Sequence, residues 1–295
     1  MPTASDVATF AFTDEGPWEV ERGQLSWARG LPVLRAATRR QVPLLTARRA
    51  LPPPVRLTVV AARLGGSVAG WAVRERRSGE SASRAGLSRR LRRAAERLGP
   101  TYIKLGQIIS SGSGIFPAEL VEEFRACRDQ VPAEPFETVR RVVEEDLGRP
   151  LEEVFDHFER EPIAAASIAQ VHAARLRTGE EVVVKVQRPT IRSQVHADLR
   201  VMAWLAPFLV GRIPVAALAN PPALVELFAE TISEELDFRL EAENMLDVAA
   251  SLADLGQRKV LVARPHPELV TRRVLVMERL HGFGFEDLES MHAAG

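Results

Sequence analysis

Apolar residues along this chain keep two rhythms. From Leu31 to Leu147 they return every three or four positions, the spacing that builds one face of a helix. Leu31 to Arg77 mixes apolar residues with arginines and is broken at Pro43 and at Pro52-Pro53-Pro54. That predicts two helices, the second starting near Val55. Ser88 to Leu98 is a basic helix with a stripe of Leu91, Ala94, Ala95 and Leu98. Gly99-Pro100 interrupts it, and a helix over Thr101 to Ser110 follows, since proline is tolerated at a first helical position. Pro117 to Arg128 and Phe136 to Leu147 are amphipathic, with Gly148 stopping the second. The turn-rich DQVPAEP separates them, and Ser78 to Ala85 (SGESASRA) has linker composition. Residues 1–30 hold no sustained period and read as a loose leader.

From Phe155 the period becomes two. Phe155 to Pro162 starts a sheet, and the apolar runs Ile168 to Leu176 and Val182 to Val186 flank Thr178-Gly179-Glu180, a hairpin signal. Val182, Val184 and Val186 alternate with Val183 and Lys185, so Lys185 stands on the face opposite Val184. A lysine in a valine strand is costly unless its ammonium meets an anion; the alternative is an edge strand whose lysine reaches solvent. Helix resumes over Ile191 to Phe208. A proline-bearing loop spans Arg212 to Pro222, and one long helix runs from Ala223 to Ala253. Val260 to Val262 and Arg273 to Met277 read as short strands, with His266-Pro267-Glu268 as the turn before the second.

Charge changes this picture at one end. The net charge is zero, yet residues 1–100 carry 18 arginines against 8 acidic residues, a net of +10, and the other 195 a net of −10. A basic front facing an acidic body suits intramolecular docking, an anionic membrane surface or a solvated arm. Val55 to Val73 is apolar, but Arg63 at its middle would cost at least ~2.5 kcal/mol at mid-bilayer, which excludes a spanning helix. The single cysteine, Cys127, excludes an intrachain disulfide and a cysteine-based metal site. The first residues lack a basic segment followed by an apolar run, so no secretory signal is expected.

Lysine is used sparingly. Of 39 basic residues only Lys104, Lys185 and Lys259 are lysines, positions where a compact rotatable ammonium suits better than a planar guanidinium. Lys104 and Gln107 share a face of their helix, with Gly106 leaving room for close approach. On the long helix, at about 100° per residue, Glu234, Asp237 and Glu241 stack on one face and Glu235 lies about 120° from Glu241. Two carboxylates can therefore reach two cations, Glu241 meeting Lys185 and Glu235 meeting Lys104, with Gln107 adding a hydrogen bond.

These elements, in this order, resemble the N-terminal part of the UbiB-type atypical kinases, relatives of the protein-kinase fold linked to isoprenoid quinone biosynthesis. Lys104-Leu105-Gly106-Gln107 matches the K-x-G-Q element, and Ala164-Ala165-Ala166-Ser167 the alanine-rich loop that replaces the kinase glycine-rich loop. Lys185 in VVVKVQRP matches the nucleotide-binding lysine; Glu235-Leu236-Asp237 matches the E-x-D element, with Glu241 at the lysine-pairing position. The likeness covers roughly residues 88–290, and the joint occurrence of the four elements is specific where each alone is weak.

The resemblance implies roles. Lys185, held by Glu241, is the catalytic pair that contacts the α/β-phosphates of ATP or ADP. Ala164 to Ser167 covers the phosphates, with alanine there implying altered nucleotide preference and suppressed protein phosphorylation. Met277, Glu278 and Leu280 belong to the hinge that meets adenine. Lys104, Gly106 and Gln107 regulate by folding across the cleft onto Glu235 and Asp237, excluding protein substrates. The family's catalytic loop and metal-binding Asp and Asn follow the hinge, where this sequence stops. The chain is therefore expected to be a fragment, with no metal site of its own and Mg2+ only in the intact parent.

The expected fold is α+β: a helical N-terminal extension packed on a protein-kinase-like small lobe of antiparallel sheet plus a long αC-type helix, the large lobe missing. Its expected divisions are 1–86, a basic helical leader; 87–150, the K-x-G-Q extension; 151–280, the small lobe; and 281–295, the start of a linker. Its expected function is the ATP/ADP-binding part of a kinase or ATPase supporting isoprenoid quinone or related lipid metabolism. Nucleotide, isoprenoid lipid and an anionic membrane surface are the expected partners, and nucleic acid is not; the location would be cytoplasmic, against the inner face of a membrane. The alternatives are a small-molecule kinase of the aminoglycoside-phosphotransferase type, which has no use for Lys104 to Gln107, and a membrane-surface pseudokinase scaffold.

Overall fold

The computed structural model describes residue 12 and residues 16–47, 51–77, 79–127, 131–210, 220–257, 260–282 and 292–293. Lys259 and most of the loop from Arg212 to Pro222 lie outside them.

The chain order is α1 (Leu31–Leu45), α2 (Pro54–Arg74), α3 (Glu80–Leu98), α4 (Pro100–Ser111), α5 (Ala118–Arg125), α6 (Phe136–Leu147), α7 (Leu151–Val154), β1 (Phe155–Phe158), β2 (Ala164–Ala165), β3 (Ala169–Leu176), β4 (Glu181–Gln187), α8 (Ile191–Leu209), α9 (Pro221–Glu235), α10 (Phe238–Asp254), β5 (Pro265–Val270) and β6 (Val274–Glu278). Mixed helix and antiparallel sheet is thus the architecture. The strands pair in the order β1-β3-β4-β6-β5, with β2 also on β3. The hairpin forms as its sequence predicts, β3 and β4 joined through Gly179 at φ 108°, a backbone region open to glycine. Gly148 closes α6 in the left-handed conformation at φ 69°.

Each face of the sheet buries a different layer. Val182, Val184 and Val186 of β4 join Val274 and Val276 of β6 against Val139, Val142 and Val143 of α6. Leu275 and Val270 face the other way, onto Leu240, Ala242 and Leu246 of α10. Complete burial of side chains of this size contributes about 1.5–3 kcal/mol each, so the alternation in β4 sets which face carries Lys185. A separate helical core joins α1 to α5, α8 and α9 through residues such as Val60, Leu98, Tyr102, Ile103, Leu199 and Ile232. Within it Arg56 of α2 forms a two-pronged pair with the wholly buried Asp198 of α8, at 2.5 and 2.9 Å, and donates to the Leu98 carbonyl at 2.6 Å.

Five expectations are corrected. The long helix from Ala223 to Ala253 is two helices, because Asp237 turns extended and its carboxylate caps α10 by accepting the Arg239 amide. Within the supposed linker, residues from Glu80 onward are helical: packing of α3 on α2, with Trp71 Nε1 donating to the Ser83 carbonyl at 2.9 Å, overrides composition. The described part of the leader is anchored. Leu25 and Trp27 are buried against α10 and the sheet, while Trp18 and Trp27 donate to the carbonyls of Pro265 and His266 at 3.0 and 3.1 Å. Val260 to Val262 is irregular. The neighbouring strand is β5, which contains His266-Pro267-Glu268. That segment is a strand irregularity rather than a plain turn: the register shifts, and His266 Nδ1 accepts the amides of Glu268 and Leu269, each at 3.1 Å.

Candidate functional site

Lys185 projects from the α10 face of β4, and its Nζ lies 2.6 and 2.8 Å from the two carboxylate oxygens of Glu241. Glu241 sits in the first turn of α10, which the Asp237 cap starts. The ammonium also stands 5.0 Å from the centroid of the Phe238 ring, whose face attracts a cation. Phe238 is almost wholly buried, three residues before Glu241 on the same helix face. Sequence reasoning passed over it; the signal was its position directly after the E-x-D element.

A cavity of about 430 Å³ opens beside this pair. Lys104, Ala166, Ser167, Lys185, Glu235 and Glu241 line it, together with Glu234 and Asn244. Lys104 Nζ reaches Glu235 Oε1 at 2.6 Å, so the second expected lysine–carboxylate contact is also present. Glu235 is the last residue of α9 rather than a neighbour of Glu241 on one continuous helix. Arg35 of α1 holds the outer rim, bonding Glu243 at 2.9 Å and Asn244 at 3.0 Å.

The alanine-rich segment divides in two. Ala164 and Ala165 pair with β3, opposite Val171 and Gln170, and only Ala166 and Ser167 border the cavity. Arg188, which is buried, pins the turn by donating to the Ala166 carbonyl at 3.1 Å while pairing with Glu134 at 2.9 Å. Sequence reasoning missed Arg188, although it stands directly before Pro189 at the end of the lysine strand.

Other expected site residues fall elsewhere. The tight neighbour of Gly106 is α5, not α9 or α10: a Cβ there would come within 2.5 Å of Phe124 Cδ1. The Gln107 side chain makes no hydrogen bond to Glu235 among the described residues; its carbonyl accepts from Ser110 and Ser111. Asp237 pairs with Arg239 at 2.7 Å instead of Lys104, because capping α10 turns its carboxylate back along that helix. Met277, Glu278 and Leu280 lie at the end of β6 and beyond, outside the cavity wall, with Glu278 accepting the Arg264 amide at 3.2 Å. Among the described residues no three His, Cys, Asp or Glu side chains are disposed to hold a metal ion, and no helix is long and apolar enough to cross a membrane.

A sequence profile described as the ABC1 atypical kinase-like domain matches residues 126–295. The chain is 38% identical over 295 residues to the uncharacterized protein Rv0647c of Mycobacterium tuberculosis, covering 97% of this chain and 59% of that one. It is 41% identical over 205 residues to an uncharacterized chloroplastic aarF domain-containing protein kinase of Arabidopsis thaliana, covering 69% and 38%. A probable protein kinase UbiB of Vibrio parahaemolyticus is 37% identical over 210 residues, covering 71% and 38%. The chain therefore spans between 38% and 59% of the length of these curated relatives. Among solved structures, that of the Rv3197–erythromycin complex from Mycobacterium tuberculosis aligns with TM-score 0.40 and 28% identity, over 61% of this chain and 44% of that one. With the profile covering more than half of its residues, the chain belongs to the ABC1 atypical kinase-like family, alongside proteins named UbiB and aarF domain-containing protein kinase.

Proposed function

We propose that this chain is the nucleotide-binding part of a UbiB-type atypical kinase or ATPase that supports isoprenoid quinone or related lipid metabolism. The observation that carries the reading is the Lys185–Glu241 pair at 2.6 Å on the wall of a 430 Å³ cavity. That volume falls within the roughly 300–1,000 Å³ of small-molecule pockets. On this reading residues 151–280 form a kinase-like small lobe with α10 as its αC-type helix. Residues 87–150 form the K-x-G-Q extension, residues 1–86 a basic helical leader, and residues 281–295 the approach to a large lobe.

The residues present fit an ATP or ADP. Lys185 would hold phosphate oxygens, and Glu241 keeps its ammonium aimed into the cavity. Ala166 and Ser167 put little side-chain bulk in the way. Glu234, Glu235 and Glu241 line the cavity with Lys104 and Lys185, and Arg35 reaches Glu234 at 3.9 Å, so the cations there are already answered and phosphates would draw on Mg2+ as well. That Mg2+ is expected in the intact parent. The Lys104–Glu235 contact would hold α4 across the cavity where a kinase admits peptide, disfavouring protein substrates.

Exposed Val55, Val59, Val68 and Val73 on α2, in the arginine-rich front of the chain, support a peripheral seat on an anionic membrane surface. Calorimetry with Mg-ADP and Mg-ATP tests the nucleotide reading: weak binding without turnover is expected for this chain, and far tighter binding for an intact relative. Turnover by this chain alone would overturn the view that the acid groups lie outside it.

A further inference from the structure

At the break between α9 and α10 lies a second cavity, of about 110 Å³, that shares no lining residue with the larger one. Its wall is rich in arginine. Arg192 comes from the first turn of α8, Arg272 from the turn between β5 and β6, and Arg239 from the first turn of α10. Arg239 is committed, donating to both Asp237 carboxylate oxygens at 2.9 and 2.7 Å. Arg192 and Arg272 are not: among the described residues neither guanidinium has an ion pair or a hydrogen bond. Arg272 is exposed and Arg192 half-buried, whereas the half-buried Arg56 and Arg273 and the buried Arg188 are answered by Asp198, Asp146 and Glu134.

The electrostatics agree. Burial lowers the Arg192 pKa, the Arg272 charge lowers it further, and Asp237 only partly opposes them. Burial lowers the pKa of His196, one helical turn further along α8, and the charges of Arg192 and Arg200 lower it further. Three guanidiniums against one carboxylate leave the wall strongly positive. Ser233 of α9 adds a further polar residue to the wall, its hydroxyl oxygen buried within the protein. Like charges brought together in one wall are unfavourable unless an anion joins them. Thr38 and Gln41 of α1 complete a polar wall.

We propose that this cavity binds a single phosphoryl group, held by Arg192 and Arg272. Guanidinium forks match phosphate oxygens. A cavity of about 110 Å³ has room for a tetrahedral oxyanion. The group could arrive on a soluble phosphate monoester or on a phospholipid headgroup. Phosphate binding here is independent of the nucleotide reading of the larger cavity.

The test is calorimetry of the full chain in chloride buffer with inorganic phosphate and with glycerol 3-phosphate, paired with co-sedimentation on phosphatidylcholine vesicles with and without phosphatidic acid. Saturable binding is expected, weakened roughly tenfold or more in Arg192→Gln/Arg272→Gln and unchanged in Arg149→Gln, an exposed control. The single variants Arg192→Gln and Arg272→Glu should each weaken it too, and they guard against a fold lost in the double variant. Binding of the soluble phosphates identifies a monoester site. Variant-sensitive binding of acidic vesicles alone identifies the headgroup. No saturable binding in either arm, or binding that all the arginine variants retain, overturns the site.

Discussion

Lys104 Nζ lies 2.6 Å from Glu235 Oε1, joining the middle of α4 to the last residue of α9. Both side chains are partly solvated, at 25% and 35% exposure, which places the contact nearer to a surface pair than a buried one. Its coupling should therefore be modest, about 0.5–1 kcal/mol. A double-mutant cycle of Lys104→Met and Glu235→Gln, read by urea unfolding, measures it. A coupling indistinguishable from zero would remove its role as a latch.

Lys185 and Glu241 should separate affinity from stability. Both side chains are about a quarter to a third exposed, so Lys185→Met should lower the melting temperature by only a few degrees. Mg-ADP affinity should fall roughly tenfold or more in the same variant, because a charge-assisted contact to phosphate is removed. Glu241→Gln should weaken binding less, since the lysine survives without its guide. Equal nucleotide binding by wild type and Lys185→Met would sink the nucleotide reading.

Gly106→Ala brings a methyl group to 2.5 and 2.8 Å from two ring carbons of Phe124. Overpacking of this kind costs about 1–3 kcal/mol, against roughly 1 kcal/mol gained from helix propensity. A net destabilisation is expected, and Phe124→Leu in the same chain should recover much of it. Stabilisation by Gly106→Ala alone would show that α5 yields freely.

Asp198 is wholly buried and answered by Arg56. Arg56→Met leaves that carboxylate stranded and should cost about 3–5 kcal/mol at pH 7. Burial raises the Asp198 pKa, and Arg56 only partly offsets this. A carboxyl whose folded pKa is raised favours the fold at low pH and loses that contribution as pH rises through the folded value. The penalty of Arg56→Met should therefore shrink as pH falls toward the carboxyl range. A penalty that grows on acidification would contradict this assignment.

His266 has the opposite sign. Burial depresses its pKa to about 4, and protonation of Nδ1 would also forfeit the amide bonds from Glu268 and Leu269. A base with a lowered folded pKa contributes its full stability above the unfolded value of about 6.5 and loses it progressively as pH falls to about 4. His266→Asn, which keeps an acceptor, should flatten the acid limb of the stability profile between those values. An unchanged slope would show that other groups dominate it.

Much of the fold was legible because local rules and tertiary packing agree there. Gly148 could end α6 in the left-handed conformation, Gly179 could turn the hairpin, and alternation in β4 committed three valines to one layer and Lys185 to the other. The two lysine–carboxylate contacts could be foreseen for the same reason: a charge placed among apolar residues must find its opposite. Composition misled where packing decided. Serine-rich residues before Ser88 became helix against Trp71, and the aperiodic leader was fastened by two indole N–H groups to β5 carbonyls.

Helical spacing also failed across Leu236 and Asp237, because an Asp that can cap a helix reads the same as one inside it until the chain turns there. That turn decides the site. It aims Asp237 at Arg239, leaves Glu235 to Lys104 and starts α10 so that Glu241 meets Lys185. Residue types and their order were set by the sequence alone. Which cation each acid meets, and the gathering of Arg192 and Arg272 around one small cavity, required three distant elements to pack, and no local period encodes that.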